Sequence, residues 1–257
     1  MRPAVHSQDI RPTDYRAGIF DLDGVVTDTA RTHCQAWRKL FDGYLAERAE
    51  RDGEPFRAFD PQHDYRRYVD GKPRYDGVSS FLEARGIQLP FGSPEDLPDE
   101  ETICGLGNRK QRYFEQFLAA EGVDVFASSV AFIESIRKAG LQTALVSSSK
   151  NAQSILIRTG LDHLFDAVVD GIEAERLELH GKPNPDIFRH AASLLSVFPG
   201  EAFAVEDALS GVEAANKAGF GLVVGIDRAQ QRDELLAHGA DVVVEDLAEM
   251  MMPDGEP

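Results

Sequence analysis

Four short stretches of this chain carry side chains suited to handling a metal ion and a phosphate group together. They are Asp21-Leu-Asp23-Gly24, Ser147-Ser-Ser-Lys150-Asn151, Gly181-Lys182-Pro-Asn-Pro185 and Glu206-Asp207. Carboxylates gathered at one place repel each other unless a cation joins them. Oxygen-only ligands favour Mg²⁺, which keeps some of its waters and accepts phosphate oxygens. A carboxylate is also a competent nucleophile toward a phosphoryl group, giving an aspartyl-phosphate. Asp23 points to the other side of an extended chain, but Gly24 lets it turn back, where it could protonate a leaving oxygen and later deprotonate an acceptor. Ser147 could donate to a phosphate oxygen, and Lys182 could offset charge on nucleophile and phosphate.

These side chains need a scaffold that gathers them. Ala17-Gly-Ile-Phe20 is a short apolar run that stops at Asp21, the pattern of a buried strand ending in acidic residues. From Thr29 to Arg48 the apolar residues Cys34, Trp37, Leu40, Phe41 and Leu45 recur at spacings of three and four, which predicts a helix. Residues 48–76 are rich in Arg, Asp, Tyr and Pro, with seven basic and seven acidic side chains. Helices are predicted at 78–85 and 109–120, with a loop over 87–100. No strand pattern interrupts this middle block, so it reads as a helical insertion.

Beyond Phe126, strands predicted at 141–146, 167–169, 202–205, 221–226 and 241–244 alternate with helices at 128–139, 151–159, 185–196, 208–218 and 229–238. That alternation implies an α/β fold: a doubly wound, Rossmann-like open parallel sheet with helices on both faces. The expected division is an α/β core from 1–27 and 118–257, with an all-helical segment over 28–117. Ligands in such a sheet bind outside the carboxyl ends of the strands, where all four stretches fall. Residues 1–15 read as a polar leader, and the residues after Leu247, with Met250-Met-Met252, as a frayed or partner-dependent tail.

Composition removes other classes. The chain has 257 residues, 42% of them hydrophobic, enough for a full core. Its net charge of −17 argues against sequence-independent binding to nucleic acid or to an anionic membrane surface. No apolar stretch approaches the length of a membrane span. The opening MRPAVHSQDIRP has no continuous apolar run, so no ordinary secretory signal is expected. Two cysteines, Cys34 and Cys104, make no disulfide framework and suit a reducing cytoplasm. Scattered histidines argue against zinc. Gly181-Lys182 runs into Pro183 rather than a hydroxyl residue, and Gly105-Leu-Gly107 lacks a third glycine, so neither nucleotide-binding loop is present.

Phe20-Asp-Leu-Asp-Gly-Val25, Val146-Ser147, Lys182-Pro-Asn-Pro-Asp-Ile-Phe188 and Val205-Glu-Asp-Ala-Leu-Ser-Gly-Val212 resemble, in order, the four motifs of the haloacid dehalogenase superfamily. Asp23-Gly-Val-Val-Thr-Asp-Thr-Ala30 with His33 and Trp37, and Ser147-Ser-Ser-Lys-Asn151, are similar to its β-phosphoglucomutase-like subgroup. The resemblance spans roughly residues 17–226. It implies Asp21 as nucleophile and Asp23 as general acid/base. It implies Mg²⁺ held by Asp21, the Asp23 carbonyl, Glu206 and Asp207, and a transferring phosphoryl group bound by Ser147 and Lys182. Ser148 would bind substrate or phosphate, and Lys150 and Asn151 would lie near the second phosphate of a sugar bisphosphate. The helical insertion would be a cap that selects substrate. There His33 would align the acid/base, Arg74 would grip the distal phosphate, and Lys110 or its neighbour Arg109 would match a cap lysine.

The sequence departs from the family pattern in the long 48–76 stretch, in Phe126-Ala-Ser128 at a usual Tyr-Pro-Gly turn, and at Ala208, where a small hydroxyl residue is usual. Each motif alone has a plainer reading: Asp-x-Asp-Gly as a turn, the serines as a loop, Lys182 as a solvated charge, Glu206-Asp207 as complements to a helix N-terminus. The expected activity is a phosphosugar mutase acting on β-glucose 1-phosphate. The alternatives are a sugar-phosphate phosphatase, in which water accepts the phosphoryl group, and a silent binding module on the same fold.

Overall fold

The computed structural model describes residues 14–251, so all but Asp14 and Tyr15 of the polar leader, and Met252, lie outside the described residues. The chain divides at Asp28/Thr29 and at Val123/Asp124 into a helical unit and a sheet unit.

The helical unit holds α1 (Thr29–Asp52), a π-helical turn (Tyr65–Val69), α2 (Arg74–Ala84) and α3 (Ile103–Glu121). Each α-helix is longer than its periodicity predicted, for identifiable reasons. α3 starts six residues before the expected Arg109 because the Thr102 side chain caps it, accepting from Gly105 N at 2.9 Å. Gly105 and Gly107 look like helix breakers, but a Cβ at Gly107 would fall 2.6 Å from the Tyr75 ring. Gly77, inside α2, likewise makes room for Trp37. The expected boundary at 117/118 lies inside α3, and the division comes after that helix ends at Gly122.

The core of this unit is aromatic. Trp37, Phe41, Phe59 and Phe81 form one buried cluster with Leu40, Val78, Ile103 and Leu106, and the Phe41 and Phe81 centroids are 3.9 Å apart. The 48–76 stretch is anchored in it. Phe59 enters the cluster, its N–H donates to Asp42 Oδ1 at 2.8 Å, and buried Asp64 accepts from Arg85 at 2.6 Å.

The sheet unit begins with β1 (Ala17–Asp21), whose five residues are all buried, the mark of a central parallel strand covered on both faces. β2 (Gln142–Val146), β3 (Ala167–Val169), β4 (Ala202–Glu206), β5 (Leu222–Ile226) and β6 (Val242–Val244) complete a wholly parallel sheet in the order β3-β2-β1-β4-β5-β6. The intervening helices are α4 (Ala127–Lys138), α5 (Ala152–Thr159), α6 (Gly171–Arg176), α7 (Asp186–Leu194), α8 (Leu209–Ala218) and α9 (Arg232–His238). This is the doubly wound fold that the alternation predicted. α6 was not foreseen; its six residues are too few for a periodic signal, and its start is set by Asp170, whose Oδ1 accepts from Ile172 N and Glu173 N.

The segment after β6 corrects the expectation of a frayed tail. Leu247–Met250 form a 3₁₀ turn with Leu247 and Met250 buried, and Ser128 Oγ donates to Asp246 Oδ2 at 2.8 Å. No helix among the described residues is long and apolar enough to cross a membrane.

Candidate active site

Strand register decides which side chains meet. Asp21 is aligned with Val146 of β2, and Phe20 with Val205 of β4, so Glu206 comes level with Asp21 and Ser147 follows one residue beyond it at the carboxyl edge of the sheet. Asp21, Glu206 and Asp207 are all buried, and their ligand-capable oxygens lie within 4.8 Å of one another. Lys182, equally buried, contacts Asp21 Oδ1 and lies 2.5 Å from Glu206 Oε1. Glu206 Oε2 accepts from the N–H groups of Asp207 and Ala208 at 3.2 and 3.3 Å.

The electrostatics follow from that crowding. Burial pushes the Asp21 carboxyl well above the usual carboxylate range, Glu206 pushes it the same way, and Lys182 opposes both. Burial alone would pull the Lys182 ammonium down, but Asp21 and Glu206 outweigh it and hold the group above its ordinary value. Three carboxylates facing one ammonium leave a surplus of buried negative charge, which is costly away from water. An all-oxygen donor set with that surplus fits a hard divalent cation.

Asp23 turns away from this cluster: its Oδ2 accepts from Ser147 Oγ at 3.3 Å. Gly24, with φ +86°, makes the turn, and it packs so closely on the Asp207 carboxylate that any Cβ would overlap it. Ser147 Oγ also accepts from Ser149 N at 3.0 Å, and Ser149 Oγ from Asn151 N at 3.1 Å, so the loop after β2 is folded on its own hydroxyls. Half-buried Ser148 lies in that loop. Lys150 is turned onto Glu175 of α6, with both carboxylate oxygens 2.7 Å from Nζ.

The remaining predicted residues lie in the helical unit. His33 and Trp37 are four apart on α1, as are Lys110 and Phe114 on α3, so each pair shares a helix face. Lys110 is buried, 2.5 Å from His33 Nδ1 and over the Trp37 and Phe114 rings at 4.9 and 5.0 Å. The His33 ring stacks on Phe114 at 4.0 Å. Arg109 takes another course, donating to the Pro98 carbonyl at 2.6 Å. The Arg74 guanidinium lies against Tyr75, which in turn donates to Asn108 Oδ1 at 3.0 Å.

Some contributors carried no separable signal in the sequence. A Cβ at Gly211 would collide with the Glu206 carboxylate, so that glycine makes the space the acid occupies. Gln231, 24 residues beyond Asp207 and outside every motif, donates to the Asp207 carbonyl at 2.9 Å.

The profile of the haloacid dehalogenase-like hydrolases matches residues 15–219. A protein of Mycobacterium bovis named beta-phosphoglucomutase is 51% identical over 243 residues, covering 93% of each chain. Another of that name, from Bacillus subtilis, is 30% identical over 92% of each. Among solved structures, beta-phosphoglucomutase from Clostridium difficile superposes with a TM-score of 0.71 at 27% identity, covering 92% of this chain and 93% of that one.

Proposed function

The chain belongs to the haloacid dehalogenase-like hydrolase family, and from that premise we propose that it is a Mg²⁺-dependent mutase converting β-glucose 1-phosphate to glucose 6-phosphate. The observation that carries this reading is the 51% identity with the Mycobacterium bovis relative of that name, extending over 93% of both chains. The buried carboxylate surplus at the edge of the sheet supports it.

In this reading Asp21 is the nucleophile, oriented through Oδ1 by Lys182. It attacks a phosphate of the sugar 1,6-bisphosphate, the sugar oxygen leaves with a proton from Asp23, and Asp21 becomes an aspartyl-phosphate. Asp23 removes the proton from the sugar hydroxyl as that oxygen takes the phosphoryl group from Asp21, giving a sugar bisphosphate. When the bisphosphate presents its other phosphate, Asp21 attacks it and Asp23 returns the proton to the departing C1 oxygen. Ser147, bonded to Asp23 at rest, and Lys182 bind the transferring group. Asp21, the Asp23 carbonyl, Glu206 and Asp207 would hold Mg²⁺, which when bound neutralises charge on phosphate and carboxylates. The helical unit is read as the cap, with Arg74 and Lys110 for the distal phosphate and His33 aligning Asp23. Lys150 and Asn151 serve the same phosphate from the sheet unit, where Ser148 binds substrate or phosphate. The setting is cytoplasmic, in keeping with Cys34 and Cys104 as free thiols.

The test is a panel of sugar 1-phosphates with Mg²⁺ and a catalytic amount of the matching 1,6-bisphosphate. Formation of glucose 6-phosphate from the β-anomer is the expected result. Release of inorganic phosphate without the 6-phosphate would replace the mutase by a phosphatase, in which water takes the phosphoryl group from Asp21.

A further inference from the structure

The loop joining β5 to α9 touches both halves of the carboxylate site, yet it belongs to none of the motifs that signalled that site. Arg228 Nε donates to the Gly24 carbonyl at 3.0 Å, and its Nη1 donates to the Glu245 carbonyl at 3.2 Å. The guanidinium carbon stands 3.8 Å from the centroid of the Phe126 ring. Phe126 in turn donates its N–H to the Val26 carbonyl at 3.0 Å. The turn that follows Asp23 is therefore held at Gly24 by Arg228 and at Val26 by the residue on which Arg228 lies. Three places further along the same loop, buried Gln231 donates to the Asp207 carbonyl. Asp227 braces the loop itself, its Oδ1 accepting from Ala229 N and Gln231 N at 3.3 and 2.8 Å.

The two gripped points are in contact with each other, since Gly24 packs directly on the Asp207 carboxylate. A shift of the Gly24 peptide changes the direction of Asp23 and presses on Asp207 at once. We propose that Arg228 is a positioning residue for phosphoryl transfer: with Gln231 it sets the Asp23–Gly24 turn in register with Asp207. Resting on the mutase reading given above, this adds to it a residue that acts through Asp23 rather than on substrate. Arginine is required for geometric reasons. Its planar fork serves two carbonyls in different directions while its face lies on an aromatic ring, which a lysine ammonium cannot do.

Arg228→Met keeps the apolar contact with Phe126 and removes the fork. Its expected effect is a fall in kcat of about 10- to 100-fold, the usual cost of releasing an outer-shell partner or misplacing a reacting group by a fraction of an ångström. KM for β-glucose 1-phosphate should stay within about threefold, because Arg228 orients the reacting groups rather than binding the sugar. Arg228→Ala with added guanidinium should recover part of the lost rate. Amide hydrogen exchange without substrate or metal gives an independent readout: in Arg228→Met it should quicken over residues 22–27 and stay unchanged across the strands.

Wild-type kcat in Arg228→Met overturns the proposal, as does quickened exchange throughout the sheet unit, which would mark a merely structural role. If Arg228→Met does not fold, Arg228→Lys decides: wild-type kcat there overturns the claim about the fork, and a reduced kcat with unchanged KM supports it. If the wild-type protein converts no sugar phosphate, the mutase reading fails by itself, and local exchange at 22–27 still decides whether Arg228 holds the turn.

Discussion

In the sheet unit, the buried charges Asp21, Glu206, Asp207 and Lys182 crowd one edge, placed there by strand register and by backbone N–H groups. In the helical unit the buried Lys110 lies between aromatic rings and beside an imidazole, placed by interlocking side chains of α1 and α3. A ladder of evenly spaced backbone hydrogen bonds fixes the register of neighbouring strands and with it the positions at their ends. Helices have no such ladder between them, so their geometry depends on how well the rings pack. The first arrangement suits chemistry at a fixed point, and the second suits recognition that has to be tuned by side-chain choice.

The largest effect expected from breaking this contrast is at Asp21. On the proposed mutase mechanism, Asp21→Asn should lower turnover of β-glucose 1-phosphate by more than about 10⁴-fold, the effect of removing a nucleophile. Because it relieves the carboxylate surplus, it should leave the urea midpoint equal to or above that of the wild type; a collapse in stability would show that the cluster is structural. Phe81→Ala, at the centre of the aromatic core, should destabilise by about 3–5 kcal/mol, read from urea unfolding. A loss under about 1 kcal/mol would mean that the rings do not hold the helical unit together.

Gly211→Ala is the sheet unit's counterpart, a single methyl placed where the Glu206 carboxylate sits. Displacing that acid should cost about 10- to 100-fold in kcat, with a raised Mg²⁺ requirement measured by titration of activity. Wild-type behaviour would show that Glu206 has room to move.

The smallest effects concern acid. Despite burial, Asp64 is held below the usual carboxylate range by the Asp60 N–H, Arg85 and His63. Asp166 is held down likewise by Thr143 and Arg137. A depressed folded pKa contributes stability that is complete above the ordinary carboxylate value of about 3.9 and is lost as pH falls through the lower folded value. Asp64→Asn and Asp166→Asn should therefore each flatten the fall of the urea midpoint below about pH 4. The larger change should come from Asp64, whose side chain is 4% exposed against 37% for Asp166. Equal flattening would remove burial as the distinction between the two units.

Legibility followed the same division. The strands after Phe126 announce themselves because a parallel sheet buries both faces of each strand, which makes short apolar runs between helices. Asp21, Ser147 and Glu206-Asp207 each sit at or just beyond the end of such a run, whereas Lys182 lies in the loop that leads into α7. In the helical unit, Gly77, Gly105 and Gly107 read as interruptions, because nothing local says that a ring (at Gly77 and Gly107) or the carbonyls of Leu97 and Glu100 (at Gly105) need the space of the missing Cβ. The buried end at Leu247 and Met250 was missed for a similar reason: one 3₁₀ turn has no period, and its burial is supplied by distant residues.

The sequence by itself determined the order of elements, the parallel sheet and the set of acids, serine and lysine at its edge, since each depends on patterns a few residues long. Only the tertiary structure decided that Lys182 spans Asp21 and Glu206, that Lys110 and not Arg109 lies beside His33, and that Phe59 and Asp64 anchor the long 48–76 stretch. It also decided that Arg228 and Gln231 reach the backbone around Asp23 and Asp207. These contacts join residues far apart in the chain, and a polar side chain in a loop carries no local mark of the carbonyl it will meet.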